Sequence, residues 1–288
     1  MYEIKKNYKD NTGLRQSFNA LAEKTFGLNF EDWYQNGFWR ENYVPYAVVH
    51  ENRVVANVSV NITETMWNGE KKYFIQLGTV MTDEAYRNQG LIRMLMEEVE
   101  KDYGQKVDGM YLFANDSVLE FYPKFGFKKA TEYQYSKQVE SQKEATMKQI
   151  LMENKAAWET LEKAMNESKA FGSFDMVGNS DLIMFYVTKF MQENVYYDEG
   201  MDVYVIAEPE EDTLFIYNVF AKEPVELDAV IEAFGKDVRK VTLGFVPQKK
   251  EGYLVEEIDE EDTTLFVKGE ALEAFEGEKL LFQTLAHA

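Results

Sequence analysis

Residues 46–82 contain three consecutive strand patterns, and the turns between them restrict how the chain can fold. Glu51 and Asn52 separate the first two patterns, and Asn68 and Gly69 form a strong two-residue hairpin signal between the second and the third. Strands joined by such short turns pair with opposite directions. The segment therefore predicts an antiparallel meander.

The apolar pattern changes to helical spacing after Arg87, with Leu91, Leu95 and Val99 on one face. A short apolar strand, "GMYLFA" (109–114), and a short helix leading into a turn, "SVLEFYPKFGF" (117–127), follow. Strand, helix and strand after an antiparallel meander predict a mixed, mostly antiparallel sheet flanked by helices, in the α/β (α+β) class.

The order of elements starts again near residue 141, although the residue identities hardly repeat. A strand, two helices, a hairpin turning near residues 210–212, a helix and a strand follow one another, and the tail adds the apolar segments "TTLFVKG" and "KLLFQTL". A chain of 288 residues is long enough for two domains. We predict domains at 1–140 and 141–288, the second a degenerate copy of the first.

The acidic residues are concentrated in the second half. Residues 1–140 hold 17 Lys and Arg against 20 Asp and Glu, a net charge of −3, and the remainder holds 14 against 31, a net charge of −17. Such a field repels nucleic acid and anionic membranes and attracts cations such as amines, although it also serves solubility. The lack of a signal-peptide core and of an apolar run near ~20 residues predicts a cytoplasmic protein without a membrane partner.

The absence of Cys excludes disulfides, thiolate nucleophiles and Cys-ligated metals. His50 and His287 are the only histidines, and ordinary surface or loop positions are the better interpretation for both. We therefore expect no metal site.

A glycine stands at the predicted helix start in "RNQGLIRM" (87–94). The first N–H groups of a helix have no intrahelical partners and carry the positive end of the helix dipole. Gly90 leaves that backbone open to a ligand phosphate, and Arg87 adds a full positive charge. Plain capping is the competing explanation. The segment lacks a Walker lysine and the spacing of the dinucleotide fingerprint, which excludes P-loop and Rossmann sites.

The segments "TVMTDEAYRNQGLIRMLM" and "NDSVLEFYPKFGF" resemble the acetyl-CoA signature of the GNAT N-acetyltransferase superfamily. Its pattern is an Arg/Gln-x-x-Gly-x-Gly/Ala loop, then Asn-x-x-small-x-x-x-Tyr ending in Gly-Phe. The whole chain resembles the Eis-like tandem-GNAT acetyltransferases, without their sterol-carrier-like third domain. Ile92 and Val118 are larger than the residues usual at their two motif positions.

This resemblance implies a binding site for acetyl-CoA as cosubstrate. The backbone amides of Val80 and Thr82 would hold the acetyl carbonyl and the pantetheine arm, Asn115 would reach the pantetheine, and Tyr122 would protonate the departing thiolate, because a phenol with a pKa near ~10 suits that role. The residues implied to cradle the pyrophosphate are Arg87, Asn88, Gln89, Gly90, Leu91 and Ile92.

The general base is left open by the sequence. Gln76 occupies the strand position where many relatives carry a catalytic carboxylate, and a glutamine does not accept a proton. Glu64 on the preceding strand is one candidate, with an exposed strand carboxylate as the alternative. Eis-like relatives are thought to use their terminal carboxylate, which makes the Ala288 carboxylate a second candidate. Water is a third, since a primary amine can lose its proton to it.

An acidic and aromatic stretch is the candidate wall of an acceptor pocket. Trp33 and Trp39, interleaved with Glu31, offer π faces and a carboxylate to a cationic amine, although aromatic residues at this spacing also suit a core. In the second half, "FAKEPVELDAVI" puts Glu223 and Glu226 where a helix would open on a phosphate. We therefore predict one acetyl-CoA site and a non-catalytic second domain.

Two functions remain open from the sequence. The first is an N-acetyltransferase that moves an acetyl group from acetyl-CoA to a primary amine of a small cationic substrate or peptide, by direct transfer in a ternary complex. The alternative is a catalytically weak acyl-CoA-binding or regulatory module of GNAT fold. Relatives that assemble suggest a homo-oligomer for either.

Overall fold

The structure is a computed structural model that describes residues 1–288, and it contains two mixed β-sheets with helices packed against them. The strands are β1 (Glu3–Lys6), β2 (Tyr43–His50), β3 (Arg53–Trp67), β4 (Glu70–Thr82), β5 (Gly109–Ala114), β6 (Lys128–Lys129), β7 (Tyr133–Gln138), β8 (Lys148–Ile150), β9 (Phe174–Val177), β10 (Val195–Asp198), β11 (Val203–Glu210), β12 (Thr213–Ala221), β13 (Lys240–Leu243), β14 (Leu254–Glu257) and β15 (Thr264–Lys268). The helices are α1 (Thr12–Phe26), α2 (Glu31–Gln35), α3 (Leu91–Tyr103), α4 (Lys155–Glu167), α5 (Ser180–Lys189) and α6 (Leu227–Glu232). None of these helices is long and apolar enough to cross a membrane.

The antiparallel meander is confirmed as β2, β3 and β4. The β3–β4 hairpin turns at Asn68 and Gly69, whose φ angles of 49° and 84° are those of the two central residues of a type I′ turn. Positive φ suits glycine and is tolerated by asparagine, so this pair fixes the register of the longest hairpin in the first sheet. The mixed character of the sheet is also confirmed, since β5 joins β4 in parallel.

The two halves of the chain exchange strands. The first sheet has the order β1-β2-β3-β4-β5-β15-β6, with β9 added against β3, so two of its strands come from the second half. The second sheet has the order β14-β7-β13-β12-β11-β10-β8, and β7 precedes residue 140. Each sheet therefore contains strands from both sides of the predicted boundary near residue 140.

The apolar C-terminal segment "KLLFQTL" does not form a strand. It runs through the core between the two sheets, where Phe282 stacks on Tyr111 with ring centroids 3.7 Å apart. Both side chains are fully buried. Packing of side chains rather than strand pairing therefore fixes this segment, and it carries His287 and Ala288 into the first half.

Glu132 is buried at the junction between this segment and β7. The backbone N–H of Phe282 donates to its carboxyl oxygen over 2.8 Å. Burial raises the pKa of Glu132 from its ordinary value of 4.5 to about 8, because a charged carboxylate is poorly solvated there. At neutral pH the folded chain therefore holds a proton that the unfolded chain releases.

Replacement of Glu132 by Gln is expected to flatten the pH dependence of stability. A group whose pKa is raised on folding contributes stability below its unfolded pKa, and that contribution is lost as the pH rises through the folded pKa. For Glu132 the free energy of unfolding should therefore fall by roughly 2–5 kcal/mol from pH 4.5 to above pH 8. The introduced glutamine keeps an oxygen for the Phe282 N–H and does not titrate. Urea unfolding of the parent and of Glu132→Gln at pH 7 and pH 9 checks this, since both pH values lie above the range where His287 titrates. An equal loss of unfolding free energy in the two proteins would contradict it.

Candidate functional site

Strands β4 and β5 separate partway along their length. They pair at only three positions, from Phe74 opposite Gly109 to Gln76 opposite Tyr111, and not beyond. On the other side of β4, the pairing with β3 shifts between Asn57 and Ser59, so that Thr79 and Val80 form a bulge in β4 opposite the single residue Val58; Thr79 has a φ of 41°. The sheet therefore opens as a wedge after Gln76. Val80 and Thr82 line the cavity that extends from this wedge.

The loop before α3 presents open backbone to the same cavity. Gly90 caps α3 with a φ of 75°, and a Cβ added there would meet no atom within 4 Å. No backbone carbonyl accepts from the N–H groups of residues 88–93; the first bond of the helix runs from Met94 to Gly90. These amides lie at the N-terminus of α3, which is the positive end of the dipole of a helix of 13 residues. The loop is therefore a ready-made site for an anion.

The cavity has a volume of about 900 Å³ and brings most of the predicted ligand residues together. The predicted residues that line it are Val80, Thr82, Arg87, Asn88, Gln89, Gly90, Leu91, Ile92, Asn115 and Tyr122. The two unusually large motif residues, Ile92 and Val118, pack against the core beneath α3. Both residues also line the cavity.

Asn115 and Tyr122 lie on the opposite wall, beyond the end of β5. The Asn115 side-chain oxygen accepts from the N–H and the hydroxyl of Ser117, which fixes the amide plane and leaves the Nδ2 group for other partners. Tyr122 begins a short 3₁₀ helix and is 4% exposed, among the rings of Phe121, Phe127 and Phe266.

The acidity of Tyr122 differs from the sequence expectation. Burial raises the pKa of its phenol from 10 to about 12, because the charged form is poorly solvated among aromatic rings. The phenol is therefore a weaker acid than its ordinary pKa implies. It also stays protonated throughout the neutral and mildly alkaline range, so its O–H is always present as a donor.

The C-terminal residues reach the wedge from the second half of the chain. The backbone N–H of Ala288 donates to Gln76 Oε1 over 2.9 Å, so the unusual glutamine holds this segment. A Cβ added to Gly78 would lie 2.2 Å from the Ala288 backbone oxygen. A glycine is therefore required at position 78 for this approach.

His287 fixes the same segment. Its ring stacks on Phe113 at 3.9 Å between centroids, and its carbonyl oxygen accepts from the Tyr186 hydroxyl over 2.5 Å. Burial lowers the pKa of His287 to about 4, so the imidazole is neutral at physiological pH. His287 lies outside any helix or strand, as expected, but it is half-buried and lines the cavity, so it is not an ordinary surface residue.

The first half of the chain is similar to a known protein family. The sequence model of the acetyltransferase (GNAT) family matches residues 14–127, a span that contains the wedge, the loop and Tyr122. Residues 14–127 are therefore similar to GNAT acetyltransferases. No curated protein sequence matches the chain.

Solved structures with the same fold extend over both halves. A conserved protein of unknown function from Enterococcus faecalis V583, described as a probable N-acyltransferase, has a TM-score of 0.61 at 15% identity, over 93% of this chain and 72% of that chain. Eis1 from Mycobacterium abscessus has a TM-score of 0.60 at 15% identity, over 95% of this chain and 75% of that chain. A GCN5-related N-acetyltransferase from Anabaena variabilis has a TM-score of 0.56 at 14% identity, over 93% of this chain and 72% of that chain. The chain therefore folds as two GNAT-like halves in tandem, resembling Eis-like proteins.

Three of the four residues expected to bind the acceptor do not line the cavity of the GNAT domain. Glu31 pairs with the buried Arg15, whose guanidinium holds the pKa of this carboxyl below its usual value. Glu64 pairs with Lys71 over 2.6 Å, on the stretch of β3 that pairs with β9. Trp39 is 3% exposed within the core. The acidic pattern in the sequence serves ion pairs, and only Trp33 reaches the cavity.

The cavity wall also includes residues that the sequence does not predict. Leu182, Phe185 and Tyr186 of α5 line it, together with His287 and Ala288. All five come from the second half of the chain. No local pattern assigns them, because they belong to segments far from the loop in sequence; α5 packs through Phe185 against Phe30 and Trp33. The Phe185 ring stacks on Phe30 at 5.1 Å.

Proposed function

We propose that this protein is an N-acetyltransferase that transfers an acetyl group from acetyl-CoA directly to a primary amine. The observation that carries this proposal is one cavity that joins the open amides before α3, the wedge between β4 and β5, and the buried Tyr122 hydroxyl. The absence of Cys, and of any Ser with a base beside it at the wedge, favours direct transfer over a covalent acyl-enzyme.

The residues of the loop fit the diphosphate of acetyl-CoA. Amides without acceptors from residue 88 to residue 93 donate hydrogen bonds, the Gly90 backbone leaves room for the phosphate oxygens, and Arg87 and Arg93 add positive charge. Asn115 Nδ2 donates to an amide oxygen of the pantetheine. Val80 and Thr82 take the acyl end into the wedge.

In the reaction the amine nitrogen forms a bond to the acetyl carbon, and the carbon–sulfur bond breaks. The amine loses one proton to a base, and Tyr122 donates a hydrogen bond and then its proton to the departing sulfur. Water then carries the proton from the base back to Tyr122. The apolar surroundings of Tyr122 favour this return, because they disfavour the charged phenolate. The products are an amide and the CoA thiol, with every atom accounted for.

The base in this proposal is the α-carboxylate of Ala288, in a polypeptide that ends at that residue. No Asp or Glu side chain lines the cavity, which leaves this group as the one carboxylate near the wedge. Gln76 and His287 anchor the residue from two sides. The assignment explains why a glutamine suits position 76: its oxygen holds the backbone N–H of the residue that carries the base.

A polypeptide of residues 1–288 is expected to release CoA thiol from acetyl-CoA in the presence of primary amines, and Gly78→Ala is expected to lower kcat by about 10²-fold or more. The added methyl group overlaps the Ala288 oxygen and displaces that residue. A thiol-trapping assay measures the release, and calorimetry measures acetyl-CoA affinity, which stays within about threefold because the loop is untouched.

Gly13→Ala is the matched control, since a Cβ there meets its nearest atom at an ordinary 3.6 Å. An unchanged kcat in Gly78→Ala would remove Ala288 from the reaction. Tight acetyl-CoA binding by the parent chain without release for any amine would favour the alternative, an acyl-CoA-binding or regulatory module.

A further inference from the structure

We infer that the acceptor is a primary monoamine with an apolar body, an alkyl or aryl group, and not a polycation. The inference rests on the proposed function and specifies its substrate class. It starts from the acceptor compartment, the part of the cavity walled from both halves of the chain. Its residues are Leu28, Phe30, Trp33, Tyr43, Leu182, Phe185 and Tyr186.

The acceptor compartment adjoins the reacting end of the wedge at two points. The Tyr43 hydroxyl lies 2.8 Å from Thr79 Oγ1, one residue from Val80. The Tyr186 hydroxyl bonds to the carbonyl of His287, one residue from Ala288. A molecule in this compartment therefore presents one end to both the acyl position and the proposed base.

The polar groups of the compartment are already used within the protein. Trp33 Nε1 donates to the carbonyl of Asp181 over 2.7 Å, and the hydroxyls of Tyr43 and Tyr186 have the partners just described. The rings hold each other at fixed angles, with Trp33 at 5.2 Å from Tyr43 and 5.7 Å from Phe185. What remains for a ligand is aromatic and aliphatic surface, which selects an apolar body.

The charge of the compartment differs from the charge of the chain. No Asp or Glu side chain lines the cavity, and Glu31, Glu41 and Glu162 are paired with Arg15, Lys9 and Arg40. The only charged side chains on the cavity wall are Arg87 and Arg93, at the loop. In a polypeptide that ends at Ala288, one ammonium group finds one counter-charge at that carboxylate. A second ammonium group finds none, and its desolvation opposes binding.

The test compares n-hexylamine with 1,6-diaminohexane, which share a chain length and differ by one ammonium group. We expect n-hexylamine to bind CoA-loaded protein at least about tenfold more tightly by calorimetry, and to have a correspondingly higher kcat/KM in thiol release. Equal or tighter binding of the diamine would overturn the inference. Because the binding arm does not require turnover, failure of transfer with selective binding would contradict only the proposed reaction.

Leu28 offers a matched pair of variants, because it is partly exposed and lines the compartment. Leu28→Glu is expected to bring the affinities for the two amines within about threefold of each other, while Leu28→Gln, of the same size but uncharged, keeps the preference for n-hexylamine. The same preference in both variants would contradict the charge argument. A higher kcat/KM for octanoyl-CoA than for acetyl-CoA, with no preference between the amines, would assign the compartment to the acyl chain and overturn the inference.

Discussion

Replacement of Gly90 by Glu is expected to weaken acetyl-CoA binding by at least about 100-fold without unfolding the protein. The Cβ of residue 90 points into open space, so the new side chain clashes with nothing in the chain. It does place a carboxylate among the amides proposed to bind the diphosphate, and like charges brought together cost several kcal/mol. A factor of 100 corresponds to about 2.7 kcal/mol.

The control for this variant is Gly252→Glu. Gly252 also has a positive φ, 83°, and also has no atom within 4 Å of an added Cβ, but it lies in an exposed turn of the second half. The two variants share the backbone strain and the added charge and differ only in location. Calorimetry with CoA and thermal unfolding separate the effects. Equal CoA affinity in both variants would show that the diphosphate lies elsewhere.

The features that local sequence patterns predicted are those that depend on neighbouring residues. The hairpin at Asn68 and Gly69, the helix after Gly90 and the placement of Asn115 and Tyr122 beyond an apolar strand each follow from a few adjacent positions. Hydrophobic period and turn chemistry act at that range. The loop could therefore be located before its surroundings were known.

The features that the sequence did not predict depend on residues far apart in the chain. The bond between Gln76 and Ala288 joins residues 212 positions apart, and no periodicity encodes it. The placement of β7 in the second sheet and of β15 in the first sheet also depends on pairing between strands that are far apart in the chain. A glycine at position 78 inside a strand was the one local signal of a close backbone approach.

The net charge of the chain does not predict the charge of the cavity wall. A net charge of −20 acts at long range on the encounter with any ligand, but binding depends on the groups that remain unpaired at the cavity. Glu31 was chosen for its position among aromatic residues, and Arg15, which neutralises it, lies 16 positions away on another helix. Long-range attraction of amines and an uncharged acceptor wall are therefore compatible.

Replacement of Tyr122 by Phe is expected to lower kcat by about 10²–10⁴-fold while acetyl-CoA affinity stays within about threefold. The substitution removes only the hydroxyl, and the ring keeps its contacts with Phe127 and Phe266, so the fold is preserved. The thiol-trapping assay gives kcat, and calorimetry gives the affinity for acetyl-CoA. Tyr73→Phe, at a half-exposed position on β4, controls for the loss of a phenol.

The pH dependence of the rate gives an independent test of the same residue. Because burial raises the pKa of Tyr122 to about 12, the phenol keeps its proton as the pH rises to 10, and the parent enzyme should not lose activity from its ionisation in that range. A phenol of ordinary pKa would lose half of its donor form at pH ~10. An alkaline limb near pH 10 in the parent that is absent from Tyr122→Phe would mean that the phenol is solvated when the substrates are bound. An unchanged kcat in Tyr122→Phe would mean that another group protonates the sulfur.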